Sequence, residues 1–241
     1  MIYDDPILYD QLYGRFTDDI PFYRSLAEDA GGECCELACG TGRVGIALAA
    51  AGARVFGVDL NPAMITTARR RSREAGVEGS CEFLEADMRE FVRPGRFSLV
   101  FVPLHSLSHL LTTVDVDRCF AAVRTGLTED GVFAFAVHNP DPAVLARQPG
   151  ALERVPFDAD GIAVYEACEY DGVAQILSLT WYVETSSETK RFDYRLRMFF
   201  PQELELLLDR AGFAIAGRYG WYDRTPLTSD SGTQVIVARR T

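Results

Sequence analysis

Histidine is scarce in this chain, three in 241 residues, and none stands with the cysteines at the spacing a zinc site requires. No metal is expected. A serine on a G-x-S-x-G turn with a histidine and an acid is also missing, which sets aside that route to acyl transfer. Positive charge is the second shortage: 24 Lys and Arg against 35 Asp and Glu leave a formal charge of −11. A nucleic-acid partner needs a basic face, and the densest basic run, Arg69-Arg70-Arg71-Ser72-Arg73, reads as the solvated side of a helix. The six cysteines, Cys34, Cys35, Cys39, Cys81, Cys119 and Cys168, contain no C-x-x-C pair, and three crowd one strand and its turn, so free thiols are expected. The opening Met-Ile-Tyr-Asp-Asp-Pro has neither a basic region nor an apolar run. Neither secretion nor a membrane is indicated, and a cytoplasmic protein is expected.

What remains is an alternation. Strand patterns near 33–39, 54–59, 81–86, 97–103 and 131–138 are separated by helical ones, the signature of a doubly wound α/β sheet in a single 1–241 domain. Asn61-Pro62 caps and opens the second of these helices, and Glu129-Asp130-Gly131 turns into the fifth strand. Alternation breaks at Asn139-Pro-Asp-Pro142. Ala163–Tyr170, Val173–Thr185 and Lys190–Phe199 then read as three strands joined at Asp171-Gly172, a small antiparallel insertion spanning 150–200. A helix opened by Pro201 and closed by Gly212 leads to final strands at 213–219 and 233–239.

The densest signal is Glu36-Leu-Ala-Cys-Gly-Thr-Gly-Arg43, followed by Val58-Asp59 and Glu85-Ala-Asp87-Met88. Gly40 and Gly42 let the backbone turn sharply and let a ligand lie against the main chain. Gly40 to Gly45 also satisfies G-x-G-x-x-G, with Asp59 where a ribose-binding carboxylate would stand. A nicotinamide dinucleotide is therefore one reading. Glu36 favours another, because a carboxylate in an apolar strand needs a partner, and the ammonium and sulfonium of S-adenosylmethionine suit it better than a diphosphate does. Arg43 or Arg54 could serve as that partner instead.

On these motifs, with Val58 to Met64 and the Val102-Pro-Leu-His-Ser-Leu-Ser-His109 run, the chain resembles class I S-adenosylmethionine-dependent methyltransferases. It is similar to small-molecule N-methyltransferases of the glycine, sarcosine and aminosugar type, through Leu8-Tyr-Asp-Gln-Leu-Tyr13 and Ser106 to His109. The resemblance implies a Rossmann-like, seven-stranded sheet in the order 3-2-1-4-5-7-6 with the last strand antiparallel. It also implies an N-terminal helical lid over 1–32 and an insertion that roofs the substrate pocket with residues such as Trp181, Tyr182 and Tyr194. S-adenosyl-L-methionine is the implied cofactor and a small-molecule methyl acceptor the implied partner. A homodimer is left open.

Ligands in such sheets bind beyond the carboxyl ends of the strands. Asp59 is the candidate for the ribose hydroxyls, Leu60 and Met64 for the adenine faces, and Asp87 with Met88 for the adenine edge, unless Asp87 merely caps the Arg89-Glu90 turn. Tyr9 and Tyr13 share one helix face, joined by Tyr3, to cover the sulfonium and carboxylate or else to pack on the core. Glu36, Ala38, Gly40, Gly42, Arg43, Val102 and Leu104 complete the expected cofactor contacts. His109, Tyr13 and His105 are the catalytic candidates, with His109 first as base or orienter because imidazole takes a proton near neutral pH; each histidine could instead be bonded to a loop backbone, and His138 also points to the site. The expected reaction is in-line methyl transfer to a nitrogen of a small molecule. An oxygen acceptor, or a non-catalytic module that only binds the cofactor, are the alternatives.

Overall fold

The computed structural model describes residues 1–157 and 159–241. A 3₁₀ turn (Ile2–Asp4) and two helices, α1 (Pro6–Tyr13) and α2 (Asp19–Ala30), precede the first strand. The alternating part runs β1 (Glu33–Leu37), α3 (Arg43–Ala50), β2 (Arg54–Asp59), α4 (Pro62–Glu74), β3 (Cys81–Glu85), β4 (Phe97–Val102), α5 (Thr113–Gly126) and β5 (Leu127–His138). After the short α6 (Pro142–Leu145) come β6 (Glu153–Val155), β7 (Ala163–Asp171), β8 (Ile176–Glu184) and β9 (Thr189–Arg197). Then α7 (Pro201–Arg210), β10 (Phe213–Tyr219) and β11 (Thr233–Arg240) close the chain.

The main sheet has seven strands in the order β3-β2-β1-β4-β5-β11-β10. Numbered within that sheet the order is the expected 3-2-1-4-5-7-6, and its last strand, β11, runs antiparallel to both neighbours. Alternate residues of each strand feed opposite cores, because side chains switch face at every step. Cys35, Phe56, Val100 and Phe133 pack with α5 and α7, while Cys34, Val55, Leu99 and Ala134 pack with α2 and α3. Burial on both faces is what makes these strands read as apolar runs. Asn61 caps α4 as expected, its Oδ1 accepting from the Ala63 amide at 2.8 Å, and Thr112 caps α5 in the same way, its Oγ1 accepting from the Asp115 amide at 3.1 Å.

The insertion is a separate antiparallel sheet, but it has four strands rather than three: β6 pairs with the outer edge of β7. Its three residues are too short to stand out as a pattern. β8 also starts later than Val173, since Asp171 Oδ1 accepts from the Val173 and Ala174 amides and holds residues 172–175 in a wider turn. Val164, Trp181 and Val183 of this sheet share one apolar cluster with Ile2, Leu8 and Leu12, so the N-terminal segment packs on the insertion.

The basic run on α4 is not merely solvated. Arg69 donates to the Phe83 carbonyl, and Arg71 reaches Asp10 of α1 and the hydroxyl of Thr41. All six cysteines are free. Among the described residues no helix is long and apolar enough to cross a membrane.

Candidate active site

Beyond the carboxyl ends of β1 to β4 lies a cavity of about 780 Å³. Ala38 and Gly40, the segment from Asp59 to Pro62, and Ala86 to Arg89 form one side of its lining. Tyr3, Tyr9, the segment from Ser106 to Leu111 and strands β8 and β9 supply most of the rest.

The glycine turn is fixed by Asp59. Gly40 lies at φ +55°, and its amide donates to Asp59 Oδ2 at 2.8 Å while the Asn61 amide donates to Oδ1 at 2.8 Å. Burial raises the Asp59 pKa, and the amides of Asn61, Gly40 and Leu60 oppose that shift. The carboxylate that ends β2 thus holds the turn that follows β1.

Ten of the expected site residues line this cavity: Tyr3, Tyr9, Ala38, Gly40 and Asp59, then Leu60, Asp87, Met88, His109 and Tyr194. Asp87 does cap its turn, accepting from the Arg89 amide at 2.8 Å, and its carboxylate is also gripped by the Arg89 guanidinium. Those hydrogen bonds hold its pKa below the usual carboxylate range. Arg89, which also reaches Asp115 at 2.7 Å, had no motif to announce it.

The other expected residues sit elsewhere. Glu36 is 1 % exposed, and its Oε2 accepts from the Gly45 amide at 2.8 Å. It lies under the turn against the free amides that begin α3, whose need for an acceptor answers the buried carboxyl. A Cβ at Gly45 would stand 2.6 Å from that oxygen, so the third glycine of G-x-G-x-x-G serves this contact. Arg43 is taken up by Asp19, a bidentate pair at 2.7 and 2.5 Å, and by the Phe16 carbonyl, which pins α2 to α3. Gly42, Met64, Val102 and Leu104 are not among the cavity-lining residues. Met64 and Val102 are fully packed, and Gly42 faces Ile46, Phe83 and Ala68.

Tyr13 packs edge-on against Phe157 and lies tilted against Tyr9; Tyr3 is the tyrosine that reaches the histidine. Its hydroxyl is 2.7 Å from His109 Nε2. Burial raises the Tyr3 pKa, with Asp59 adding to the shift, and burial lowers that of His109, so both groups are neutral, and the phenol donates to Nε2 in the tautomer that carries its proton on Nδ1. His105 is turned away at φ +60° and stacks on His138 at 3.8 Å between centroids. Burial lowers both, His138 to about 4, so the stacked pair is neutral.

Residues 35–131 match a family described as a methyltransferase domain. A putative methyltransferase of Bacillus subtilis (strain 168), YqeM, is 30% identical over 188 residues, 76% of this chain and 74% of that protein. The chain belongs to the class I S-adenosylmethionine-dependent methyltransferases. It is an enzyme of that family, and S-adenosylmethionine is its cofactor. The CcbJ methyltransferase of Streptomyces caelestis has the same fold at a TM-score of 0.86 and 26% identity, covering 99% of this chain and 98% of that one. S-adenosylmethionine-bound CalS10, an amino pentose methyltransferase from Micromonospora echinaspora, shares the fold at a TM-score of 0.69 and 20% identity, over 100% and 97% of the two chains.

Glu36 makes stability depend on pH in the neutral range. Burial, partly offset by Arg43, raises its folded-state pKa from 4.5 to about 8. The unfolded chain ionises first, so the contribution of Glu36 is complete below pH 4.5 and is lost as pH rises through about 8. Glu36→Gln keeps an acceptor for the Gly45 amide and removes this slope. Thermal midpoints of wild type and variant should diverge across that window, with wild type losing ground as pH rises; parallel curves would show that Glu36 is ionised throughout.

Proposed function

We propose that the enzyme transfers the methyl group of S-adenosylmethionine to a nitrogen of a small-molecule amine, with Tyr3 and His109 receiving the proton. The contact that carries this reading is the 2.7 Å hydrogen bond between the Tyr3 hydroxyl and His109 Nε2 on the cavity wall. A neutral imidazole near pH 7 matches the proton of an ammonium, whereas a hydroxyl acceptor asks for a stronger base. The phenol oxygen takes a proton from the acceptor as its own proton passes to Nε2. CalS10 is an amino pentose methyltransferase, which supports an amine here.

The cavity wall fits the cofactor. A Cβ on Gly40 would stand 3.7 Å from the Tyr9 ring, so the bare backbone preserves a slot between turn and ring. Asp59, oriented by two amides, offers its remaining lone pairs to the ribose hydroxyls. Leu60 and Met88 supply apolar surface for adenine, Asp87 an acceptor for its amine, and the faces of Tyr3 and Tyr9 suit a sulfonium. Bound there, S-adenosylmethionine supplies a methyl on an already activated leaving group, and alignment is the enzyme's main task. Residues 1–32 act as the lid, fastened by Asp10 to Arg71 and by Asp5 to Lys190 at 2.9 Å, and the 150–200 insertion roofs the acceptor. The charge of −11 supports an acceptor other than nucleic acid, and the free thiols support a cytoplasmic setting.

The test is incubation with S-adenosylmethionine and matched small amines and alcohols, aminosugars included, followed by mass spectrometry. A methyl gained on nitrogen with equimolar S-adenosylhomocysteine is expected. Methylation of the alcohols alone would transfer the reading to oxygen. Tight cofactor binding without product from any acceptor would favour a non-catalytic module.

A further inference from the structure

We infer that the acceptor carries an anionic group, a carboxylate or a phosphate, received on the insertion sheet by Arg195 together with Ser178. This deepens the reading above and rests on it. The antiparallel register of β8 and β9 sets Ser178 opposite Arg195 and Thr180 opposite Asp193, and all four line the cavity. Residues two apart on a strand share a face, so the guanidinium, the carboxylate and both hydroxyls stand on one face of the sheet, with Ser178, Asp193 and Arg195 exposed.

The other charges of the cavity lining are already matched. Asp193 accepts from the Thr180 hydroxyl at 2.7 Å and from Arg191 at 2.9 Å. The amino group of Met1 pairs with Asp4, and Arg89 lies between Asp87 and Asp115. Arg195 alone among these cations has no hydrogen-bonded or ion-paired side chain among the described residues. Glu169 stands opposite Ser178 on the next strand, and it forms no ion pair with Arg195 either. A guanidinium with its donors uncommitted, beside a serine hydroxyl, is a receptor for a planar or tetrahedral oxyanion. In a chain of charge −11 such a group selects by sign: an acceptor anion placed elsewhere in the cavity meets Asp59, Asp87 or Asp193. An amine acceptor is thereby oriented by its two ends, nitrogen toward Tyr3 and His109, and anion on Arg195.

The experiment is titration of the full chain, loaded with S-adenosylhomocysteine, with two matched pairs: glucosamine and glucosamine 6-phosphate, glycinamide and glycine. A charge-assisted bidentate contact predicts that the anionic member of one pair binds about tenfold or more tighter than its neutral partner, and the pair that responds distinguishes phosphate from carboxylate. Arg195→Gln should bring that member down to its neutral partner, while Arg195→Lys keeps part of the preference. Unchanged affinity for S-adenosylhomocysteine in both variants shows an intact site. The inference is overturned if wild type binds the members of both pairs equally or binds none, or if Arg195→Gln keeps the preference. Because binding is read without turnover, loss of N-methylation in the acceptor screen is a separate result.

Discussion

Asp59→Ala is expected to weaken S-adenosylmethionine and S-adenosylhomocysteine binding by about 100-fold or more, as hydrogen bonds to a charged group are worth ~1.5–3 kcal/mol each and two ribose hydroxyls lose theirs. The same change orphans the Gly40 and Asn61 amides that the carboxylate now holds at 2.8 Å, so the turn itself loosens. Calorimetric titration separates the two effects when paired with thermal unfolding: ligand affinity should fall much further than unliganded stability. Binding within about threefold of wild type would remove Asp59 from the cofactor site.

Asp59 was legible because three signals coincide on it: it ends an apolar strand, it follows the glycine turn, and it precedes an Asn-Pro helix start. The sheet order was legible for a related reason, since parallel strands buried on both faces leave long apolar runs at regular spacing. Glu36 shows where such reading stops. A buried acid demands a partner, but the pattern does not say which, and the backbone of α3 supplies one at Gly45 before any ligand is considered. Arg43 likewise follows the turn in sequence yet binds Asp19.

The tyrosines mark a second limit. Helical spacing places Tyr9 and Tyr13 on one face of α1, and their rings do meet there, tilted, at 4.9 Å between centroids; it does not say what that face meets. The neighbour is the insertion sheet, with Phe157 against Tyr13, a long-range contact that no local period encodes. Tyr3 is brought to His109 by the 3₁₀ turn and by burial of Ile2 and Leu8 against Val164 and Trp181. The hydrogen bond of the proposed proton path therefore depends on the insertion and the N-terminal segment folding onto each other. Arg195 was unreadable for the opposite reason: its significance is the absence of a partner, which only the assembled charges reveal.

His109→Ala is expected to lower kcat for the amine acceptor by about 100-fold, the lower end of what a positioned acid–base group contributes. Affinity for S-adenosylhomocysteine should hold, because the proposed cofactor contacts lie on the Gly40, Asp59 and Asp87 side. The pH profile is the sharper readout. Burial lowers the His109 pKa from 6.5, so the imidazole stays neutral and competent below the pH at which a free histidine would be half protonated. With acceptor saturating, the acid limb of kcat in wild type should lie below pH 6.5 and should vanish in His109→Ala. Tyr3→Phe keeps the ring but cuts the relay, so its loss should be of the same kind and smaller, with the acid limb retained if water bridges to His109. A His109→Ala enzyme whose kcat stays within about threefold of wild type across the profile would leave His109 no part in proton transfer, and the Tyr3 contact would then be a packing contact that closes the cavity.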